Sequence, residues 1–286
     1  MAEISYPPGL SQAETAFFRK LLDKYQLRPF ESFLAPFLEP CIGLEVMGPD
    51  DYSALGESRL GGVPDWPAGW EWPMVYNQTQ AGRKAFPMAF TCQIDLAAIA
   101  HLASPLPKAG LLYFFWDDYD EPFSGCVRHY SGPLAELTRP GPGRPPSLSE
   151  SLLAIPFDET LAGRPHRLQF HGALSLPISG EFHRLFRGRL PFQRDEEFQH
   201  YLALSEELSG PWSHYLFGYH FCQQSLLDMG RPGADDAAAG ITLLCINSDE
   251  RLGIDFLGYD QVHMMISRES LRQQDFSQIH LSREKR

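Results

Sequence analysis

The chain has 286 residues, 43% hydrophobic and 13% aromatic, a composition that can bury a sizeable core and that excludes intrinsic disorder. Its formal net charge of −12 excludes a direct grip on a nucleic-acid backbone, which depends on Lys and Arg, and favours a basic partner. Five cysteines (Cys41, Cys92, Cys126, Cys222, Cys245) form an odd, widely spaced set without a Cys-x-x-Cys pair, and they read as free thiols in a reducing compartment.

The N-terminus lacks a basic-then-apolar signal pattern, and no apolar run reaches the length of a membrane span. The expected location is cytoplasmic, away from the membrane. Ser11 and Glu14 form a capping box, and Phe17, Phe18, Leu21, Leu22 and Tyr25 follow at helical spacing, so a helix is expected that ends by Pro29. A short helix or turn over Glu31–Leu38 precedes a strand from Cys41 to Val46.

Ser58 to Pro73 holds Trp66, Trp70 and Trp72 among alternating prolines and glycines. Proline rejects helix and central strand, so the stretch reads as an ordered loop held by its own aromatics. Strands are expected over Phe86–Ile94 and over Leu111–Trp116, the latter apolar throughout and so buried on both faces. A short helix capped by Asp95 lies between them, and Cys126–Tyr130 forms the hairpin partner of Leu111–Trp116.

Pro140 to Pro146 is the strongest linker signal. Beyond it come a strand over His166–Leu176, a surface helix over Glu196–Leu208 with Phe198, Tyr201 and Leu202 inward, and a small-residue loop over Gly230–Gly240. Strands follow over Ile241–Ile246 and Val262–Ile266, and Asp275–Arg286 reads as a polar tail.

The two halves echo each other at an offset between 150 and 156 residues. Leu60-Gly-Gly-Val-Pro64 answers to Leu216-Phe-Gly-Tyr-His220, Phe90 to Asp95 answers to Leu243 to Asn247, and Leu112 answers to Val262. The expected class is α+β: two similar, mainly antiparallel, β-rich halves from an internal duplication, with peripheral helices and an N-terminal helix. The layout is a helical segment at 1–40, a first repeat at 41–135, a Pro/Gly-rich linker at 136–165 and a second repeat at 166–286. All of these form one compact pseudo-symmetric body.

The ordered set Leu60-Gly-Gly-Val-Pro-Asp-Trp-Pro67, Trp72-Pro73, Gln93-Ile-Asp95, Leu106 to Phe115, Gly218-Tyr219, Leu243 to Gly253 and Asp275-Phe-Ser277 resembles the YwqG-like family of bacteria. The chain departs from that pattern where His220 follows Tyr219 in place of proline, and at Cys245 in place of glutamine. The resemblance implies an α+β fold of mainly antiparallel sheets and no established activity. Some members resemble immunity proteins of polymorphic toxin or type VI secretion effector systems, which neutralise toxins that include nucleases of the HNH/GHH type.

No nucleophile elbow, P-loop, metalloprotease helix or dinucleotide fingerprint occurs, so no catalytic residue, metal or cofactor is expected. His166 with His171 and His214 with His220 have spacings unsuited to one metal. Asp117, Asp118, Tyr119, Asp120 and Glu121 put four carboxylates in five residues, which suits a bound cation, a basic partner or a solvated hairpin turn.

Trp66 and Trp70 could line a cleft in which Gln93 and Asp95 converge with Asn247, or the aromatics anchor their own loop and the polar residues cap local elements. Three functions follow from these readings. The first is an immunity protein that occludes a basic toxin domain 1:1. The second is a small-molecule binder or enzyme using a cleft between the repeats, and the third is an interaction module with no toxin.

Overall fold

The structure, a computed structural model, describes residues 4–79, 82–116, 124–139, 165–178, 191–219, 240–249, 252, 254 and 260–284. Helix α1 (Gln12–Lys24) starts at the capping box. Glu14 N donates to Ser11 Oγ at 3.1 Å, and Ser11 N donates to the Glu14 carboxylate at 2.7 Å. Its buried arc is Phe18, Leu21 and Leu22. Phe17 is 44% exposed, a correction to the sequence pattern, because one residue turns a helix by about 100° and carries Phe17 out of that arc. Gln26, at φ 57°, ends the helix before Pro29 is reached.

A chain of short turns around α2 (Glu31–Leu34) leads into the sheet. The strands are β1 (Glu39–Pro49), β2 (Arg59–Leu60), β3 (Trp66–Pro67), β4 (Met74–Thr79), β5 (Gly82–Pro87), β6 (Ala89–Asp95), β7 (Leu111–Trp116), β8 (Gly125–Tyr130), β9 (Leu137–Thr138), β10 (His166–Ser175), β11 (His214–Leu216), β12 (Gly240–Asn247), β13 (Gln261–Ser267) and β14 (His280–Glu284). The helices among them are α3 (Leu96–Ile99), α4 (Asp195–Ser209) and α5 (Arg268–Arg272).

Ten strands form one sheet in the order β14-β13-β12-β11-β1-β10-β2-β6-β7-β8, and its described pairings are antiparallel. The two edges meet through an antiparallel bridge between Ser124 and His280, so the sheet is nearly closed into a barrel. Its inner face holds Leu60, Cys92, Phe114 and Val127 from one half with Leu244, Val262 and Met264 from the other, all in one core. The Arg283 guanidinium of β14 sits 5.2 Å from the Trp116 ring of β7 across this interior. Two outer cores complete the body. One joins α1 and α2 to α4, and the other lies under the tryptophans.

Besides Phe17, four expectations are corrected. The sheet is continuous rather than one sheet per half, because β1 and β10 pair along their lengths and splice the halves together. The tryptophan stretch is not wholly a loop. Arg59–Leu60 joins the main sheet, and Trp66–Pro67 pairs with Leu137–Thr138 as a short separate ribbon, where an edge proline is tolerated. The single strand expected over Phe86–Ile94 is two strands that break at Met88 after Pro87, and β5 pairs back onto β4 as a hairpin. The polar tail contains β14, with Leu281, Ser282 and Arg283 buried against β13.

Most of the linker expected at 136–165, and nearly all of the loop expected at Gly230–Gly240, lie outside the described residues. No described helix is long and apolar enough to cross a membrane.

Candidate functional site

The outer face of the sheet carries most of the polar chemistry, because the inner face is lined mainly by apolar side chains, with Arg283 and His214 among them. Register places Arg59, Gln93, Tyr113 and Arg128 in one row across β2, β6, β7 and β8. It places Tyr215, Cys245, His263 and Ser282 in the matching row across β11, β12, β13 and β14. Directly opposite residues on paired strands share a face.

Over the first row lies a buried charge cluster. Arg59 Nε donates to Asp50 at 2.6 Å and its Nη1 to Asp65 at 2.8 Å, with no side chain of the three exposed. Burial works against the Arg59 charge, but its bonds to Asp50 and Asp65 outweigh that and hold its pKa above the ordinary value.

Asp65 also accepts from Arg139 Nε at 2.7 Å, from Gly56 N at 2.7 Å and from Gln93 Nε2 at 3.2 Å. Both guanidiniums pack over the Tyr52 ring, at 4.8 and 4.7 Å, and Val63 N donates to the Tyr52 hydroxyl. Two positive and two negative charges balance, and every acceptor position of Asp65 is used within the protein. Such a cluster fixes the loop conformation, because an unpaired buried charge is expensive.

The sequence-marked residues around this cluster are packed and hydrogen-bonded within the fold. Trp66 is 1% exposed, its indole N–H donates to Trp70 O at 3.0 Å, and its ring meets those of Trp70, Trp72, Tyr113 and Phe115. Gln93 is fully buried. Its amide oxygen accepts from Asp65 N at 2.8 Å and its amide nitrogen donates to Glu57 O at 2.8 Å. Asp95 caps α3 by accepting from Ala97 N at 3.0 Å.

Asn247 lies elsewhere, on β12, with four strands between it and β6 in the sheet order. Its backbone N–H donates to His214 Nδ1 at 3.1 Å. His171, the partner of His166 in the sequence pattern, bonds Glu45 at 2.7 Å and stacks on Trp212. No group of three or more metal-ligating side chains occurs among the described residues. Asp117, Asp118, Tyr119, Asp120 and Glu121 lie outside the described residues, as does His220.

Over the second row the structure is open. A cavity of about 480 Å³ lies between α4 and the outer face of β10, β1, β11, β12 and β13. Cys41, Ser175, Tyr215, Cys245, Asn247 and Gln261 form its floor, and Leu202, Ser205, Glu206 and Ser209 of α4 form its roof. Burial pushes the Cys41 thiol up to about 12, so it stays protonated at neutral pH.

The turn at Phe217-Gly218 shapes one wall. Both residues take positive φ, 60° and 84°. A Cβ on Gly218 would stand 2.8 Å from Cys41 Cβ and from Ser175 Oγ, and the Tyr219 N–H donates to that Ser175 hydroxyl at 2.7 Å. The sequence pattern singled out Gly218-Tyr219 without giving a reason, and this close approach supplies one.

Sequence reasoning missed Asp50, Tyr52 and Arg139, and most of the cavity. Arg139 and Asp65 are 74 positions apart and no local spacing connects them. An aspartate inside the apolar stretch Val63 to Trp66 was the available signal, since a buried carboxylate calls for a cationic partner.

No curated protein matches the chain. A family model described as a domain of unknown function (DUF1963) matches residues 58–283, a span that runs from β2 through most of β14 and takes in both polar rows and, apart from Cys41 on β1, the described lining of the cavity. That description assigns no activity. The matched span covers well over half of the chain, which therefore belongs to the DUF1963 family.

Proposed function

We propose that the protein works by binding rather than catalysis, as an immunity protein that covers a basic toxin domain, a nuclease of the HNH/GHH type, in a 1:1 cytoplasmic complex. The observation that carries this reading is the charge: 36 acidic against 24 basic side chains. A nuclease that grips DNA is basic, and opposite charge speeds its capture. The resemblance to the YwqG-like family supports the same reading. Within it, the acidic run Asp117–Glu121 supplies part of the contact surface. The two runs β2-β6-β7-β8 and β11-β12-β13-β14, which flank the β1–β10 pair, fit an origin by internal duplication.

The test is co-expression of the neighbouring toxin gene with and without this protein, followed by binding kinetics at two salt concentrations. Growth rescue together with salt-sensitive association is the expected result. Persistent growth arrest and absence of binding would sink the reading.

A second reading is favoured by the cavity beside α4, whose volume of about 480 Å³ is that of a small-molecule site. In that reading the protein binds a small ligand there.

A further inference from the structure

We propose that the cavity beside α4 takes a small organic amine, with its ammonium group at the rim and its apolar body inside. This rests on the ligand-binding reading of the cavity and adds the chemical class of the ligand. Three features set the sign of the charge. Glu206 is the one formally charged residue among the described lining residues, and it is exposed at the edge.

The C-terminal end of α4 also borders the cavity, through Ser209 and the cap Gly210, and a helix C-terminus carries partial negative charge on its last carbonyls. The last turn of α4 holds no basic side chain to offset that charge. Lys24 of α1 reaches the same turn but is bonded to Glu207 and is not part of the cavity wall.

The rest of the lining selects the ligand's body. Leu176, Ile178 and Leu202 supply aliphatic surface, and Tyr215 and Tyr219 add aromatic rings, a surface that favours ammonium groups. A carboxylate or phosphate ligand would meet Glu206 and the helix end with no described cation lining the cavity to receive it.

The experiment compares tryptamine, tryptophol and indoleacetate, three ligands on one indole body that differ in the charge of the head. Binding to the full chain is measured by calorimetry, with thermal melting in parallel. The amine should bind most tightly and the acid least. Glu206→Gln should weaken the amine by about fivefold, the scale of one partly exposed ion pair, and leave the alcohol unchanged. Ser209→Phe, on the half-buried last turn, should fill the cavity and abolish binding of all three while the melting temperature holds.

If alcohol and amine bind equally and Glu206→Gln changes neither, the amine assignment falls while the ligand-binding reading stands. If none of the three binds, or if a folded Ser209→Phe protein binds as before, both fall together.

Discussion

Arg59 and Asp65 hold each other at 2.8 Å with neither side chain exposed to water. Removing either member leaves the buried cluster of Arg59, Arg139, Asp50 and Asp65 with one charge uncompensated, which costs about 3–5 kcal/mol in such settings. Asp65→Ala should therefore lower the unfolding free energy by about that amount in a denaturant titration. It should do so more than Asp95→Ala, which removes a cap worth about 1 kcal/mol. Equal effects would show that the cluster is not what holds the tryptophan stretch.

Trp66 tests the same region through packing. Its ring meets four other aromatic rings and its N–H is bonded to Trp70 O. Trp66→Ala should destabilise the fold by about 3–5 kcal/mol in thermal or chemical unfolding. A melting temperature that does not move, with a binding activity lost, would instead assign the ring to a ligand.

At Gly218 the backbone is left-handed and its neighbours leave no room for a methyl group. Gly218→Ala should destabilise by about 1–3 kcal/mol, since both the strain and the contact with Cys41 and Ser175 must be relieved. Gly69 also has positive φ but faces open space, so Gly69→Ala serves as the control for strain without a clash. The two variants should differ in stability, and identical melting curves would refute the close approach.

The pH profile should fall off at both ends. Burial opposes ionisation of Glu31, yet its bonds to Arg19, the Tyr6 hydroxyl and Arg28 outweigh that and hold the carboxyl below its ordinary 4.5. A depressed carboxyl gives stability that is present above pH 4.5 and is lost as pH falls through the lower folded value.

Burial raises the Cys41 thiol from 9.0 to about 12, so its contribution is complete below pH 9.0 and is lost as pH rises toward 12. Glu31→Gln should flatten the acid limb, and Cys41→Ala should shift the alkaline one. Unfolding free energy measured from acid to alkali tests both, and a variant that leaves its limb unchanged removes that group from the account.

The last strand offers a cruder test. A chain ending at residue 274 lacks β14 and exposes the β13 edge along with the buried Leu281 contacts. It should lose cooperative unfolding and aggregate, as bare apolar edges do. A truncated protein that stays monomeric with a sharp melting transition would mean that β14 is dispensable.

What the sequence shows depends on the reach of each interaction. Helix α1 is legible because Ser11 and Glu14 are three residues apart. Strand β7 is legible because six apolar residues in a row suit a strand covered on both sides. Strand β14 is not legible: His280-Leu-Ser-Arg-Glu284 has one strongly apolar residue, and only its pairing with β13 makes it a strand. The cavity is equally hidden, because its walls come from β10, β1, α4, β11, β12 and β13, with no common spacing. Asn247 was marked from the sequence and does line the cavity. Gln93 and Asp95, marked with it, serve the opposite half.

The pairing of β1 with β10 bears on the order of synthesis. Gly43 faces His171, 128 positions later, and the other neighbour of β1 is β11, made later still. When β8 leaves the ribosome, β1 has emerged with neither flank available, and β2 still lacks the strand that will lie between it and β1. The N-terminal half cannot finish its own sheet co-translationally. The decisive chain closure waits for the C-terminal half, which makes folding slow and dependent on distant contacts. Fragments 1–139 and 165–286 should each be unstable alone and should complement each other when mixed. A first fragment that unfolds cooperatively by itself would refute this order.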